Sequence, residues 1–115
     1  MTDAFIIGKG PAGISASLYV VRSGFSVIAT GKDMGALGKT HKIENYYGFS
    51  EPISGEELFN NGIAGAERLG VKILDEEVLN ISYNDTFTIT TDKNTYNAAR
   101  VICIFVSCDC KGIVI

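Results

Sequence analysis

Apolar residues fall into two rhythms along this chain. Ala4-Phe5-Ile6-Ile7 is an unbroken apolar run, and Ser26-Val27-Ile28-Ala29-Thr30 is a second. Runs of this length, each followed by glycine, predict buried strands. Between them Ile14, Leu18 and Val21 recur at helical spacing, which predicts a helix from Pro11 to about Arg22, ended by Gly24. Pro11 suits the first helical turn, where its missing N–H has no acceptor to lose. A second helix is predicted from Ser54, a good N-cap, with Glu56 and Glu57 in its first turn. It runs through Leu58, Phe59, Ile63, Ala66 and Leu69 and stops at Gly70. Val71-Lys72-Ile73-Leu74 then reads as a short third strand, parallel to the first two if the crossovers are right-handed.

Beyond residue 77 the period shortens to two. Val78, Ile81 and Tyr83 mark one strand, and Thr86 to Thr91 alternates as a half-buried strand should. Asp92-Lys93-Asn94 is a turn, and Thr95-Tyr96 begins a return strand. A separate apolar segment, Arg100 to Val106, is expected to re-enter the parallel sheet. The fold class is therefore α/β, a Rossmann-like parallel sheet with an inserted antiparallel β-meander. Gly31 to Pro52 is a long segment without period, rich in glycine and carrying Tyr46, Tyr47 and Phe49. A loop of this length in a compact domain reads as a ligand cover.

The strongest candidate chemistry is Gly8-Lys9-Gly10-Pro11-Ala12-Gly13, placed between the first strand and the first helix. That context is what turns a weak GxGxxG match into a dinucleotide-binding fingerprint. Gly8 makes the turn, Gly10 lets a pyrophosphate approach the backbone, and Gly13 lets helix and strand pack closely. The helix N-terminus then faces the phosphates with its amides and dipole.

Composition narrows the class. The 115 residues are 46% hydrophobic and 20% charged, with mean hydropathy +0.20, which suits a packed core and argues against disorder. A net charge of −3 and a pI near 5.0 supply no basic stripe for nucleic acid. No apolar stretch is long enough for a membrane span, and no leader pattern precedes the first strand, so a cytoplasmic location is expected. Cys103, Cys108 and Cys110 are clustered and odd in number, a poor disulfide framework. With His41 as the single histidine, no metal site is expected, and His41 itself reads as an exposed loop residue.

Four segments in register carry a family resemblance: Gly8 to Gly13, Lys42-Ile43-Glu44-Asn45-Tyr46-Tyr47-Gly48-Phe49, Ile53-Ser54-Gly55-Glu56-Glu57-Leu58, and Ala99-Arg100-Val101-Ile102. Together they resemble the N-terminal half of the FAD domain of the thioredoxin-reductase family, from about Ala4 to Ile102. Gly35-Ala36-Leu37 stands where common NADPH-dependent members carry Gly-Gly-Gln, and looks more like the ferredoxin-dependent flavin thioredoxin reductases of clostridia. The resemblance implies an FAD/NAD(P)-binding domain with FAD as cofactor. It implies that Gly8, Gly10, Pro11, Ala12 and Gly13 face the pyrophosphate. Thr30, at the end of the second strand, would bond the adenosine ribose. Gly38, Lys39 and Asn45 would lie near the flavin or its ribityl chain, and Val78 would touch the adenine through its backbone. It further implies ferredoxin or NADPH as electron donor, a thioredoxin-like substrate and a homodimer. Tyr46, Tyr47 and Phe49 would flank the flavin or simply form core.

The resemblance fades over 102–115, where Cys103 to Gly112 replaces the Ala-Thr-Gly turn of relatives, and a frameshift or premature stop is the expected cause. No CxxC dithiol is present. Residues 1–115 therefore read as an incomplete FAD-domain segment with no catalytic residue of its own, inactive alone. The alternatives are a non-catalytic FAD- or nucleotide-binding module, an inactive gene fragment, and, less well supported, an NAD-dependent dehydrogenase.

Overall fold

The computed structural model describes residues 1–104. In chain order it contains β1 (Thr2–Ile7), α1 (Pro11–Arg22), β2 (Val27–Thr30), α2 (Gly55–Arg68), β3 (Lys72–Leu74), β4 (Val78–Asn84), β5 (Thr86–Thr91) and β6 (Thr95–Cys103). They form a six-stranded sheet in the order β3-β2-β1-β6-β5-β4. β1 runs parallel to β2 and β6, β2 parallel to β3, and β5 antiparallel to β4 and β6.

The sequence pattern separates a short return strand at Thr95-Tyr96 from a sheet strand beginning at Arg100. The structure joins them. β6 pairs antiparallel with β5 from Thr95 opposite Thr90 to Ala98 opposite Phe87. It then pairs parallel with β1, from Ala98 opposite Thr2 to Cys103 opposite Ile7. Asn97-Ala98-Ala99 has little strand propensity, which is why the pattern breaks there. Ala98 is wholly buried between two neighbours, so pairing on both edges overrides propensity. The predicted continuation through Phe105 and Val106, like Cys108 and Cys110, lies outside the described residues.

Alternation along the strands sorts the core into two faces. Ile6, Val27 and Ala29 meet Ile14 of α1 and Ala66 of α2 on the helical face. Phe5 and Ile28 gather with Ile89 and Ala98 on the other, with Phe87, Tyr96 and Val101 packed against them. Leu18 and Val21 sit on the helical face beside Ile14, as their spacing predicts.

The long segment between β2 and α2 is more ordered than its sequence suggests. Gly35–Lys39 forms a 3-10 turn. Ile43 and Ile53 exchange both backbone hydrogen bonds, at 2.7 and 3.0 Å, and close the base of the loop. Gly55 N–H donates to the Thr40 carbonyl at 2.7 Å. Ser54 caps α2, its hydroxyl accepting from Glu57 N–H at 3.1 Å.

Away from the glycine turn, an apolar trough of about 690 Å³ is lined by Tyr19, Val20, Phe25, Phe87, Val101 and Ile102 among others. Among the described residues no helix is long and apolar enough to cross a membrane.

Ile89 is fully buried where the meander meets the sheet. Ile89→Ala is expected to lower unfolding stability by about 2–5 kcal/mol, read as a reduced urea midpoint at unchanged slope.

Candidate dinucleotide site

β1 delivers the chain into a turn at Gly8, whose φ of +123° disfavours any side chain. Gly8 N–H donates to the Thr30 carbonyl at 2.7 Å, which ties the turn to the end of β2. Gly13 packs so closely on this turn that a Cβ there would fall 1.9 Å from the Gly8 carbonyl oxygen. These two contacts hold the N-terminus of α1 at the carboxyl end of the sheet, where open α/β sheets bind ligands.

The helix N-terminus is open to a ligand. Gly10 is the N-cap and no side chain caps the helix. Pro11 has no N–H, and the amides of Ala12 and Gly13 lie in the first turn, where the helix supplies no acceptor. A Cβ on Gly10 would meet nothing within 4 Å. Gly10 and Pro11 line a groove of about 170 Å³ shared with Lys9, Leu37, Tyr46 and Phe59. Bare backbone, two donor amides and the positive end of a 12-residue helix suit a pyrophosphate.

The other candidates are spread more widely. Gly38 and Lys39 end the 3-10 turn and are exposed. Asn45 is exposed just past the Ile43–Ile53 bridge. Tyr46 borders the groove and contacts Phe49 at 6.0 Å between ring centroids, whereas Tyr47 is 99% exposed. Neither tyrosine is core. Val78 opens β4 and packs against the Phe5–Ile28 cluster. His41 is exposed.

Thr30, the residue expected to meet a ribose, ends β2. It is 1% exposed, and its hydroxyl donates to the Glu76 carbonyl at 2.7 Å. That hydroxyl fastens the segment after β3 to the end of β2. The reason is geometric: β2 and β3 are adjacent, so the chain leaving β3 passes directly over the strand end.

Sequence reasoning missed two residues here. Glu76 is buried, and its carboxylate accepts from Thr91 Oγ1 at 2.6 Å and from Tyr96 Oη at 2.9 Å to each oxygen. Burial pushes the Tyr96 phenol above its ordinary range, and the bond to Glu76 adds to the shift. Lys9 is also buried, 6% exposed, and pairs with Asp75. Asp75 is held below the usual carboxylate range by its hydrogen bond to Lys9 and by the lysine's charge. Neither residue carries a local signal, because their partners lie 15 to 66 positions away. Among the described residues no cluster of His, Cys, Asp and Glu could hold a metal ion.

Comparison with known proteins returns thioredoxin reductases. No family model matches the chain. It is 32% identical over 106 residues to the thioredoxin reductase of Streptomyces clavuligerus, covering 89% of this chain and 33% of that protein. It is 38% identical over 103 residues to that of Treponema pallidum, covering 87% and 34%. Among solved structures, the atypical thioredoxin reductase TRi from Desulfovibrio vulgaris Hildenborough superposes with a TM-score of 0.84 at 36% identity, over 93% of this chain and 37% of that one. A ferredoxin-flavin thioredoxin reductase from Clostridium acetobutylicum superposes at 0.74 with 36% identity, over 89% and 36%. The chain thus spans about a third of the length of the relatives it matches.

Two outcomes follow from this geometry. Gly10→Ala should leave stability within about 0.5 kcal/mol of the parent, whereas Gly13→Ala should cost about 1–3 kcal/mol, both read by urea unfolding. Above pH 10 the unfolded tyrosine releases its proton while the folded Tyr96 retains it. The folded state then binds more protons, so stability falls as pH rises through that range. Tyr96→Phe should flatten this part of the pH–stability curve, followed by denaturant midpoints between pH 8 and 11.

Proposed function

We infer that this chain belongs to the thioredoxin reductase family and forms the front part of an FAD-binding domain within it. One observation carries the cofactor reading: the uncapped N-terminus of α1, bare at Gly10, stands at the carboxyl end of a parallel sheet in a span homologous to thioredoxin reductases.

When bound, FAD would supply the two-electron chemistry, and the protein would bind and orient it. Gly10 offers the backbone approach for the pyrophosphate, and the amides of Ala12 and Gly13 donate to it. Gly8 and Gly13 set the turn that aims them. Val78, with its side chain in the core, leaves its backbone to meet the adenine. Gly38, Lys39 and Asn45 sit on the anchored loop that reaches toward the flavin end, with Tyr46 along the groove. Thr30 acts by holding the Glu76 segment in place beneath the adenosine half.

In the whole protein, electrons would pass from a donor through the flavin to a dithiol, and then to a thioredoxin-like disulfide. The three cysteines of this sequence do not form a CxxC pair, so the dithiol is not carried by this span. NADPH is the donor expected of the thioredoxin reductase family. Ferredoxin is the alternative, supported by Gly35-Ala36-Leu37 and by the similarity to the Clostridium acetobutylicum structure.

The test is direct. Purified protein mixed with FAD and passed through a desalting column should retain a flavin absorbance band with quenched fluorescence, and Gly10→Ala should lose most of it. A colourless parent protein would overturn the cofactor reading. If flavin is retained, anaerobic reduction with NADPH or with reduced ferredoxin identifies the donor.

A further inference from the structure

Lys9 occupies the crevice in which a dinucleotide would lie. Its backbone stands between Gly8 and Gly10 at the end of β1. Its side chain then passes Gly31, the residue after β2, so closely that a Cβ on Gly31 would come 2.8 Å from Lys9 Cγ. Its ammonium ends on Asp75, the residue after β3, and lies 5.9 Å from the centroid of the Phe59 ring. The side chain therefore lies across the carboxyl ends of β1, β2 and β3 in turn. This is the edge where ligands of open α/β sheets bind.

The two partners are unequally placed. Lys9 is 6% exposed and Asp75 is 78% exposed. The ammonium is fixed inside the crevice, and the carboxylate reaches it from solvent. Asp75 is tethered on its other side by Lys93, whose Nζ donates to the Asp75 carbonyl at 3.2 Å. The neighbouring Glu77 is engaged with Lys32 at 3.6 Å. A buried ammonium without an anion is costly, whereas an exposed carboxylate returns to water at little cost. An incoming anion can therefore take the place of Asp75. A neutral ligand cannot, because displacing the strap would leave the ammonium unpaired.

Resting on the cofactor reading above, we propose that Lys9 makes this crevice selective for ligands that carry a diphosphate, by exchanging its Asp75 partner for the diphosphate as the adenosine half enters. Lys9 is then both the strap across the empty crevice and the cation of the filled one. A nucleoside alone meets only the strap.

The experiment measures binding of FAD by fluorescence quenching, and of ADP and adenosine by calorimetry. It compares the parent chain, Asp75→Asn and Lys9→Ser, each checked for folding by circular dichroism. Asp75→Asn removes the competing anion and should tighten FAD and ADP by about two- to fivefold, the range of an exposed ion pair. Lys9→Ser should lower the preference for ADP over adenosine by about tenfold or more, the loss of a charged hydrogen bond. It should also reduce the salt dependence of ADP binding. An unchanged ADP-to-adenosine ratio in Lys9→Ser would overturn the proposal, as would tighter binding of every ligand, which would make Lys9 a mere obstruction. If Asp75→Asn fails to fold, the Lys9→Ser ratio decides alone. Absence of FAD and ADP binding in all three proteins would instead defeat the cofactor reading, and this inference with it.

Discussion

The structure depends on one strand having two different partners. β6 is held antiparallel by β5 over its first half and parallel by β1 over its second, and Ala98 belongs to both ladders. Without that continuity, the helical half with its glycine turn and the β4–β5 meander would be separate pieces, each too small to bury a core. With it, Phe5 from the first strand and Ile89 from the meander share one apolar cluster. The same continuity places Thr91 and Tyr96 where Glu76 can reach them, so the polar floor beneath the crevice is a product of sheet topology.

That floor is satisfied from within. Thr30, Glu76, Thr91 and Tyr96 bond among themselves, and among the described residues no buried side-chain polar atom lacks a partner. Their hydrogen bonds go into fastening the end of β2, the segment after β3 and the turn between β5 and β6. In the proposed site a ligand would therefore meet mainly backbone, at Gly10, Ala12 and Gly13, together with the Lys9 side chain. Recognition by backbone amides suits phosphate well and distinguishes bases poorly.

Much of this was legible in the chain. Both helices, the Ser54 cap and the glycine turn follow from local chemistry: apolar spacing, a hydroxyl before an acidic first turn, and glycines at fixed offsets. The buried runs at Phe5 and Ile28 announce a two-sided sheet. Other features were hidden because they arise between distant segments. Asn97-Ala98-Ala99 reads as a break, and only pairing on both edges makes it strand. Glu76 stands between two other acidic residues, and only Thr91 and Tyr96, 15 and 20 positions away, make it interior. Lys9 stands at a variable position of the glycine motif, and its partner Asp75 lies 66 positions away. The bond from the Thr30 hydroxyl to the Glu76 carbonyl, 46 positions on, had no local signal either.

The contact between Lys9 and Gly31 also bears on what the end of β2 can carry. With the Lys9 side chain laid along this path, a methyl group on residue 31 would come 2.8 Å from Lys9 Cγ, so the lysine stem would have to shift to admit it. A larger residue after β2 would displace the lysine stem from its path across the strand ends. The lysine stem and the residue after β2 thus compete for one space, and a glycine at 31 leaves that space to the lysine.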